Sequence, residues 1–342
     1  MAVTTFRAPP DSVLGIPARL LKHLRDIALS RSPYILNLGA GVQSSTLLAG
    51  AADGLFPRPD VAIFADTGWE RRATYRHLDR LNRLVAREAG IPLVHVSVGN
   101  IRRDAVRLHG HYASMPLHIR TQHGRKGILK RQCTAHYKVQ PIDKAVRAIL
   151  GAPISANGRI GSAPAGRRAI QFIGFSADEQ RRVLEGGPDH TTMEYPLIEK
   201  GLTRTDCAEL LTNWGLGDTP RSACIGCPFH GNAAWRELRR DSPEEWADAC
   251  KVDELLRHGH PAAGTPLRGT AYLHRSHVPL DEAPIDRLSA AEWKARQGRL
   301  DLGPGVDVDT ELIAYLENPP GCSPYGCRTT EIPVAAAVEA GA

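Results

Sequence analysis

Residues 34–46 read Tyr-Ile-Leu-Asn-Leu-Gly-Ala-Gly-Val-Gln-Ser-Ser-Thr, an apolar strand that runs through a small-residue loop directly into a helix. This order limits the fold more than any other feature of the chain. It gathers several backbone N–H groups at one point, where the start of the helix adds partial positive charge, and such a point holds phosphate. Gly39 and Gly41, on either side of Ala40, let the backbone approach an anion with no Cβ in the way. Ser44, Ser45 and Thr46 offer hydroxyls to the same oxygens. The loop lacks the Gly-Lys-Ser/Thr ending of a Walker sequence and the Gly-x-Gly-x-x-Gly of dinucleotide binders. Taken alone, it fits a structural turn as well as a phosphate loop.

Strand and helix patterns alternate beyond it. An amphipathic helix is expected over 17–30, with Leu20, Leu21, Leu24, Ile27 and Ala28 on one face. Apolar runs predict strands near 34–38, 61–65, 92–98 and 169–175, and helices near 43–53, 70–89 and 139–150. That alternation implies an α/β fold with a doubly wound parallel sheet, whose ligands sit at the carboxyl ends of the strands. The loop at 39–44, Asp66 and the segment after Gly174 all fall at such ends. Residues 151–168, rich in Gly, Ala, Pro, Ser and Arg, read as a mobile insertion. After residue 200 the pattern turns helical, with N-cap signatures at Thr203/Asp206, Ser242/Pro243/Glu245 and Ser289/Glu292. The expected division is an α/β domain over 1–200, a mostly helical cysteine-containing region over 201–328, and a frayed tail over 329–342.

Several motifs in order then resemble one family. Gly39-Ala40-Gly41-Val42-Gln43-Ser44 is similar to the loop of the PP-loop ATP pyrophosphatase superfamily, in the variant of phosphoadenosine phosphosulfate (PAPS) reductases. Asp66-Thr67-Gly68, with Thr74 six residues on, resembles its second motif. Gly174 to Arg182, with Glu179, resembles its Gly-x-x-x-x-Glu-x-x-Arg segment, and Tyr195-Pro196-Leu197-Ile198 its Pro-Leu-x-x-Trp motif, without the Trp. The family's Asp within the loop is Gln43 here. The resemblance spans about Tyr34 to His230. It implies a Rossmann-type fold of the adenine nucleotide alpha hydrolase kind, an adenine nucleotide (ATP or PAPS) with Mg2+ at Gly39, Ala40, Gly41, Gln43, Ser44, Ser45, Asp66, Thr67 and Gly68, and charge stabilisation at phosphate by Lys138 or Arg182.

The seven cysteines form a second pattern. Their odd number, in a chain whose first residues lack a signal-peptide pattern, argues against a disulfide framework. Cys224-Ile225-Gly226-Cys227 aims two thiolates at one point, a metal-ligand spacing, and Pro228 follows. Cys133 stands in an Arg-Gln-Cys-Thr context ahead of Lys138. Adenylylsulfate reductases hold a [4Fe–4S] cluster with a Cys-Cys pair in a similar context and a later Cys-x-x-Cys. That resemblance makes Cys133, Cys224 and Cys227 ligands, with Cys322, Cys327 or no residue as the fourth. Structural zinc, completed by His230 or His136, stays open beside iron–sulfur. Cys207 and Cys250 read as packing residues.

The charge balance permits a polyanionic partner. Net charge is +6 and pI about 9.0, and residues 118–138 carry His118, Arg120, His123, Arg125, Lys126, Lys130, Arg131, His136 and Lys138. The run lacks interleaved aromatics, so base stacking is not suggested. The polar cluster Tyr272 to His277 is expected to face solvent. No apolar run is long enough to cross a bilayer, and a cytoplasmic location is expected.

The resemblance leaves two reactions. One branch adenylates an oxygen with ATP, releases pyrophosphate and lets sulfur displace AMP; several such thiolases act on tRNA or DNA and carry a three-cysteine [4Fe–4S] cluster with an open iron for sulfide. The other reduces PAPS or adenylyl sulfate to sulfite through a cysteine in a C-terminal Glu-Cys-Gly-Leu-His sequence. That sequence is absent; Gly321-Cys322-Ser323-Pro324 departs from it at nearly every position. The expectation is therefore an ATP-dependent sulfurtransferase, with the reductase second and a non-catalytic nucleotide- or metal-binding module third. The partners implied are an adenine nucleotide, a sulfur donor and a nucleic-acid acceptor, with a homodimer left open.

Overall fold

The computed structural model describes residues 12–183, 186–288 and 292–293. Five parallel strands form the central sheet: β3 (Tyr34–Asn37), β4 (Val61–Ala65), β5 (Leu93–Val96), β8 (Ala169–Phe172) and β9 (Thr191–Glu194), after a short hairpin of β1 (Ser12–Val13) and β2 (Ile16–Pro17). The order across the sheet is β5-β4-β3-β8-β9. The chain winds outward from β3 through β4 to β5, then returns to the other side of β3, where β8 pairs Tyr34 with Ile170. The reversal opens a crevice at the carboxyl ends of β3 and β8, where ligands bind in such sheets.

Alternation along the strands feeds two cores. Ile35, Val61, Ile63 and Ala65 face α1 (Ala18–Ser30) and α5 (Gln140–Ile149) through Leu21, Leu24, Ile142, Val146 and Ile149. Leu36, Ala62 and Phe64 face the opposite way, onto α2 (Val42–Ala52), α3 (Arg72–Leu81) and α7 (Arg204–Asn213), through Leu47, Leu48, Leu78, Leu81, Cys207 and Leu211. A third core joins Trp69, α4 (Ile101–Val106) and Tyr137 to Trp235 of α8 (Asn232–Asp241), Val252 of α9 (Pro243–Leu255) and Leu273.

The packing therefore crosses residue 200 in both directions. Cys207 and Leu211 lie in a core of the α/β sheet, whereas Trp69 and Tyr137 lie in the core of the later helices. The insertion at 151–168 carries its own anchors: Ile160 is buried, Ile154 bridges to it, and the Arg167 guanidinium donates to Leu150 O at 2.9 Å.

The expected strands and helices are present within a few residues of their bounds, and the first expected cap is a full capping box between Thr203 and Asp206. Besides the β1–β2 hairpin, three strand pairings were not foreseen. Thr191–Glu194 joins the main sheet, and the basic run folds into a hairpin, β6 (His118–Thr121) and β7 (Lys126–Ile128), on which β10 (Gly269–Tyr272) pairs antiparallel. The pairing of β10 with β6 spans some 150 residues of chain, so no local pattern announces it. The polar cluster after Tyr272 faces solvent only in part: Arg275 is exposed, whereas His274 and His277 are buried. His274 is buried, with Nε2 on Asn232 Oδ1 at 3.1 Å and Nδ1 on Ser276 Oγ at 2.7 Å. Among the described residues no helix is long and apolar enough to cross a membrane. Ser289 and residues 329–342 lie outside the described residues.

Candidate functional site

The loop after β3 is shaped by backbone and braced by one hydroxyl. Ala40 sits at φ 55°, a left-handed conformation uncommon for a residue with a Cβ. Gly41 is the N-cap of α2 and no side chain caps it. Helical bonding starts with Ser45 N–H on Gly41 O at 2.9 Å, so the first-turn N–H groups of Val42, Gln43 and Ser44 precede the ladder. Ser44 Oγ accepts from Gly39 N–H at 3.1 Å and lies 3.3 Å from Gly41 O. The two hydroxyls that follow are used in the core: Ser45 Oγ meets His77 Nε2 at 2.9 Å, and Thr46 Oγ1 donates to Val42 O and Cys207 O.

β8 reaches this loop because its end is glycine. A Cβ on Gly174 would lie 3.0 Å from Ser44 N and 3.1 Å from Ser44 Cα. The segment behind it locks the Gln43 side chain. Gln43 Nε2 donates to Glu179 Oε2 at 3.2 Å, and Arg204 donates to Gln43 Oε1 at 3.0 Å. Glu179 pairs with Arg182 at 2.5 Å, and Arg182 lies over the Phe175 ring at 4.4 Å. Burial pushes the Glu179 carboxyl up, against the pull of Arg182. Arg182 is thus a buried strut of the loop's support as the structure places it, and Gln43 presents its backbone, not a free amide, to the crevice.

The β4 end supplies the facing wall. Asp66 Oδ1 accepts from Gly68 N–H and from the Tyr75 hydroxyl, each at 2.7 Å. Burial and the Asp66 charge push the Tyr75 phenol up, which keeps it a donor. Gly68 at φ 70° turns the chain, and a Cβ there would lie 2.7 Å from Asn100 Nδ2. Thr67 Oγ1 then donates to Glu70 Oε1 at 3.0 Å and lies 3.3 Å from Cys224 Sγ.

Here the structure brings the nucleotide motifs and the cysteine motif together. Glu70 and Cys224 form a β-bridge, and Ile225 N–H donates to Trp69 O at 2.9 Å. Lys138 Nζ sits 3.1 Å from Glu70 Oε1, with the two side chains 4% and 0% exposed. Cys227 N–H donates to Cys224 O at 3.2 Å, which closes the Cys-x-x-Cys turn, and His230 Nε2 is 3.0 Å from the same carbonyl. The turn lies so close on Trp69 that a Cβ on Gly226 would be 2.1 Å from the indole. Cys133 packs against the same apolar cluster as Cys224 and Cys227. The segment 69–72 is stitched to the helices above it: Trp69 Nε1 donates to Asp248 at 2.8 Å, and Arg71 pairs with Glu237 at 2.6 Å.

Three thiols pack in or against one apolar cluster, and two of them lie in a Cys-x-x-Cys turn, a donor type that suits iron–sulfur or zinc. Among the described residues no group of three or more His, Cys, Asp or Glu is assembled to hold a metal ion. Cys322 and Cys327 lie outside the described residues. Cys207 and Cys250 are held protonated, each pushed up to about 12 by burial. Glu70 and Ser222 were missed in the sequence. Glu70 stands two residues past the Asp66-Thr67-Gly68 motif, and its pairing with Lys138 has no local signature; Ser222 stands two before Cys224.

One consequence concerns acid. Burial holds the His77 pKa down to about 4, and that of His274 likewise to about 4. Both lie below the ordinary value of 6.5, so the unfolded chain takes up these protons first. Their contribution to stability is complete above pH about 6.5 and is lost as pH falls toward 4. The melting temperature is expected to drop between pH 6.5 and 5, and His77→Gln to show a shallower drop. Parallel curves for the two proteins would count against this role of His77.

No protein-family model matches the chain and no curated protein matches it, so its function is argued from the geometry of the site.

Proposed function

We propose that the protein is a PP-loop enzyme of the PAPS reductase kind that uses ATP to activate an oxygen for sulfur transfer. One observation carries this reading: the cysteine segment adjoins both motifs, with Ser222 beside Gly39 and Gly41 and Cys224 against Thr67 and Glu70. A nucleotide-binding module without chemistry has no need of a Cys-x-x-Cys turn whose buried Cys224 meets the Thr67 hydroxyl.

The first-turn N–H groups of α2 would hold the phosphates, and Asp66, fixed by Gly68 and Tyr75, would be the carboxylate for Mg2+. An acceptor oxygen attacks the α-phosphorus, the bond to pyrophosphate breaks, and the positive end of α2 stabilises the charge that develops. A sulfur nucleophile then displaces AMP from the activated carbon or phosphorus. Cys133, Cys224 and Cys227 would hold a [4Fe–4S] cluster by donor type, and the cluster would supply the chemistry of sulfur delivery. Lys138, paired with Glu70, sets the wall between the nucleotide and these thiols.

The acceptor in this reading is a nucleic acid. From 105 to 142 the chain has no Asp or Glu. Arg120, Arg125, Lys126 and Lys130 are exposed on or beside the β6–β7 hairpin. The hairpin adjoins the cysteine turn, with His118 Nε2 3.1 Å from Pro228 O and Arg131 over the Phe229 ring at 4.9 Å. Such a surface draws phosphate backbones with a strong salt dependence.

The test is anaerobic incubation of iron-reconstituted protein with ATP and a sulfide source, with tRNA, DNA or no acceptor. Pyrophosphate and AMP release that rises with one nucleic acid and falls with added salt is the expected result. Thiol-dependent sulfite from PAPS, with no ATP cleavage under any of these conditions, would replace this reading with the reductase.

A further inference from the structure

We propose that the Ser222 hydroxyl is a further phosphate-binding donor, built into the cysteine segment and aimed at the nucleotide loop. The inference rests on the nucleotide reading above and adds to it a residue from outside the loop. Ser222 is 6% exposed, and its Oγ is fully buried with no hydrogen-bond partner among the described residues. A buried hydroxyl left unpaired is destabilising, and alanine at this place avoids the penalty. The hydroxyl therefore points to a partner that the described residues do not supply.

Its position names the partner. Ser222 Oγ lies 4.0 Å from the point where a Cβ on Gly39 would stand, and Ser222 Cβ lies 3.3 Å from the corresponding point on Gly41. The hydroxyl thus faces the loop that begins α2, an 11-residue helix whose N-cap has no side-chain cap. The glycines carry a separate message. Gly41 has φ −103°, which any residue adopts, and Gly39 has no left-handed φ. A Cβ on Gly39 would meet nothing nearer than Ser44 Oγ at 3.6 Å, an ordinary contact. Neither conformation nor crowding by the protein demands glycine at 39, whereas a phosphate resting on the backbone does. The open cradle, the first-turn N–H groups and the unpaired hydroxyl converge on one anion, and the ligand class is a nucleoside polyphosphate or its pyrophosphate product.

The placement also joins binding to the sulfur wall. Ser222 precedes Cys224 by two residues, and Cys224 is bridged to Glu70. A phosphate bound by Ser222 fixes the segment that carries the Cys-x-x-Cys turn.

The experiment is calorimetric titration of wild type and Ser222→Ala with ATP and, separately, with inorganic pyrophosphate, together with melting of both proteins without ligand. Ser222→Ala is expected to bind both ligands about tenfold more weakly, the loss of one hydrogen bond to a charged group. Without ligand it is expected to melt at the wild-type temperature or above, because the deleted hydroxyl had no partner. A structural role predicts the reverse, so a lower melting temperature or unchanged affinities would overturn the inference. A wild-type protein that binds neither ligand overturns the nucleotide loop itself and this inference with it. A wild-type protein that binds both, with Ser222→Ala equal to it, overturns this inference alone.

Discussion

Gly41→Val is expected to abolish ATP binding, weakening it by a hundredfold or more, in a protein that still folds. The site is a cradle of backbone N–H groups, and its floor is the N-cap of α2. A Cβ on Gly41 already stands 3.3 Å from Ser222 Cβ, so the two γ-methyls of valine have only the phosphate space to enter. The backbone at φ −103° and ψ 179° suits a β-branched residue, which keeps the variant foldable. Its overpacking against Ser222 is expected to cost about 1–3 kcal/mol of stability, well short of unfolding a chain of this size. Gly41→Ala should fall between the two proteins in affinity. Calorimetry with ATP, beside far-UV circular dichroism, checks both statements; a folded Gly41→Val protein with wild-type affinity would remove the loop from the site.

The largest effect on stability is expected at Lys138. Lys138→Met leaves the Glu70 carboxylate inside the protein, with Oε1 on the Thr67 hydroxyl and Oε2 already without a hydrogen bond. Removing one partner of a buried ion pair costs about 3–5 kcal/mol, because the remaining charge keeps its desolvation penalty. For a protein of this size the melting temperature falls by on the order of 10 °C. Lys138→Met/Glu70→Gln, which removes both charges, is expected to recover most of the loss. The double-mutant cycle measures this coupling directly. If the single and double variants melt together, the penalty is packing alone and the pair is not what joins the acidic motif to the cysteine wall.

Much of the candidate loop site is local in sequence. Gly39, Gly41 and Ser44 are adjacent residues, and a strand followed by small residues and a helix already places N–H groups at a helix start. Asp66 is legible for the same reason, since it ends an unbroken apolar strand. Residue type alone misled for two hydroxyls: Ser45 and Thr46 follow the loop, but the turn of α2 carries them under the helix to His77 and to Cys207 O. Helical periodicity fixes that outcome only once the buried face is known. The basic run was legible as charge and not as structure, because β6 needs a partner from residues 269–272 before it is a strand.

From the sequence alone came the strands, the helices between them, the small-residue loop and the cysteine spacing, because each is set by contacts or periodicities within a dozen residues. Only the tertiary structure decided that Glu70 meets Lys138, that Thr67 meets Cys224, and that Ser222 faces Gly39 and Gly41. Those residues lie from 68 to 183 positions apart in the chain. They meet because β3 and β4 end at the same edge of the sheet, and because the Cys-x-x-Cys turn is held on Trp69 by a glycine that leaves room for the indole. Side chains so distant in sequence share no periodicity that could announce them; the sheet order and the packing of the third core bring them to one crevice.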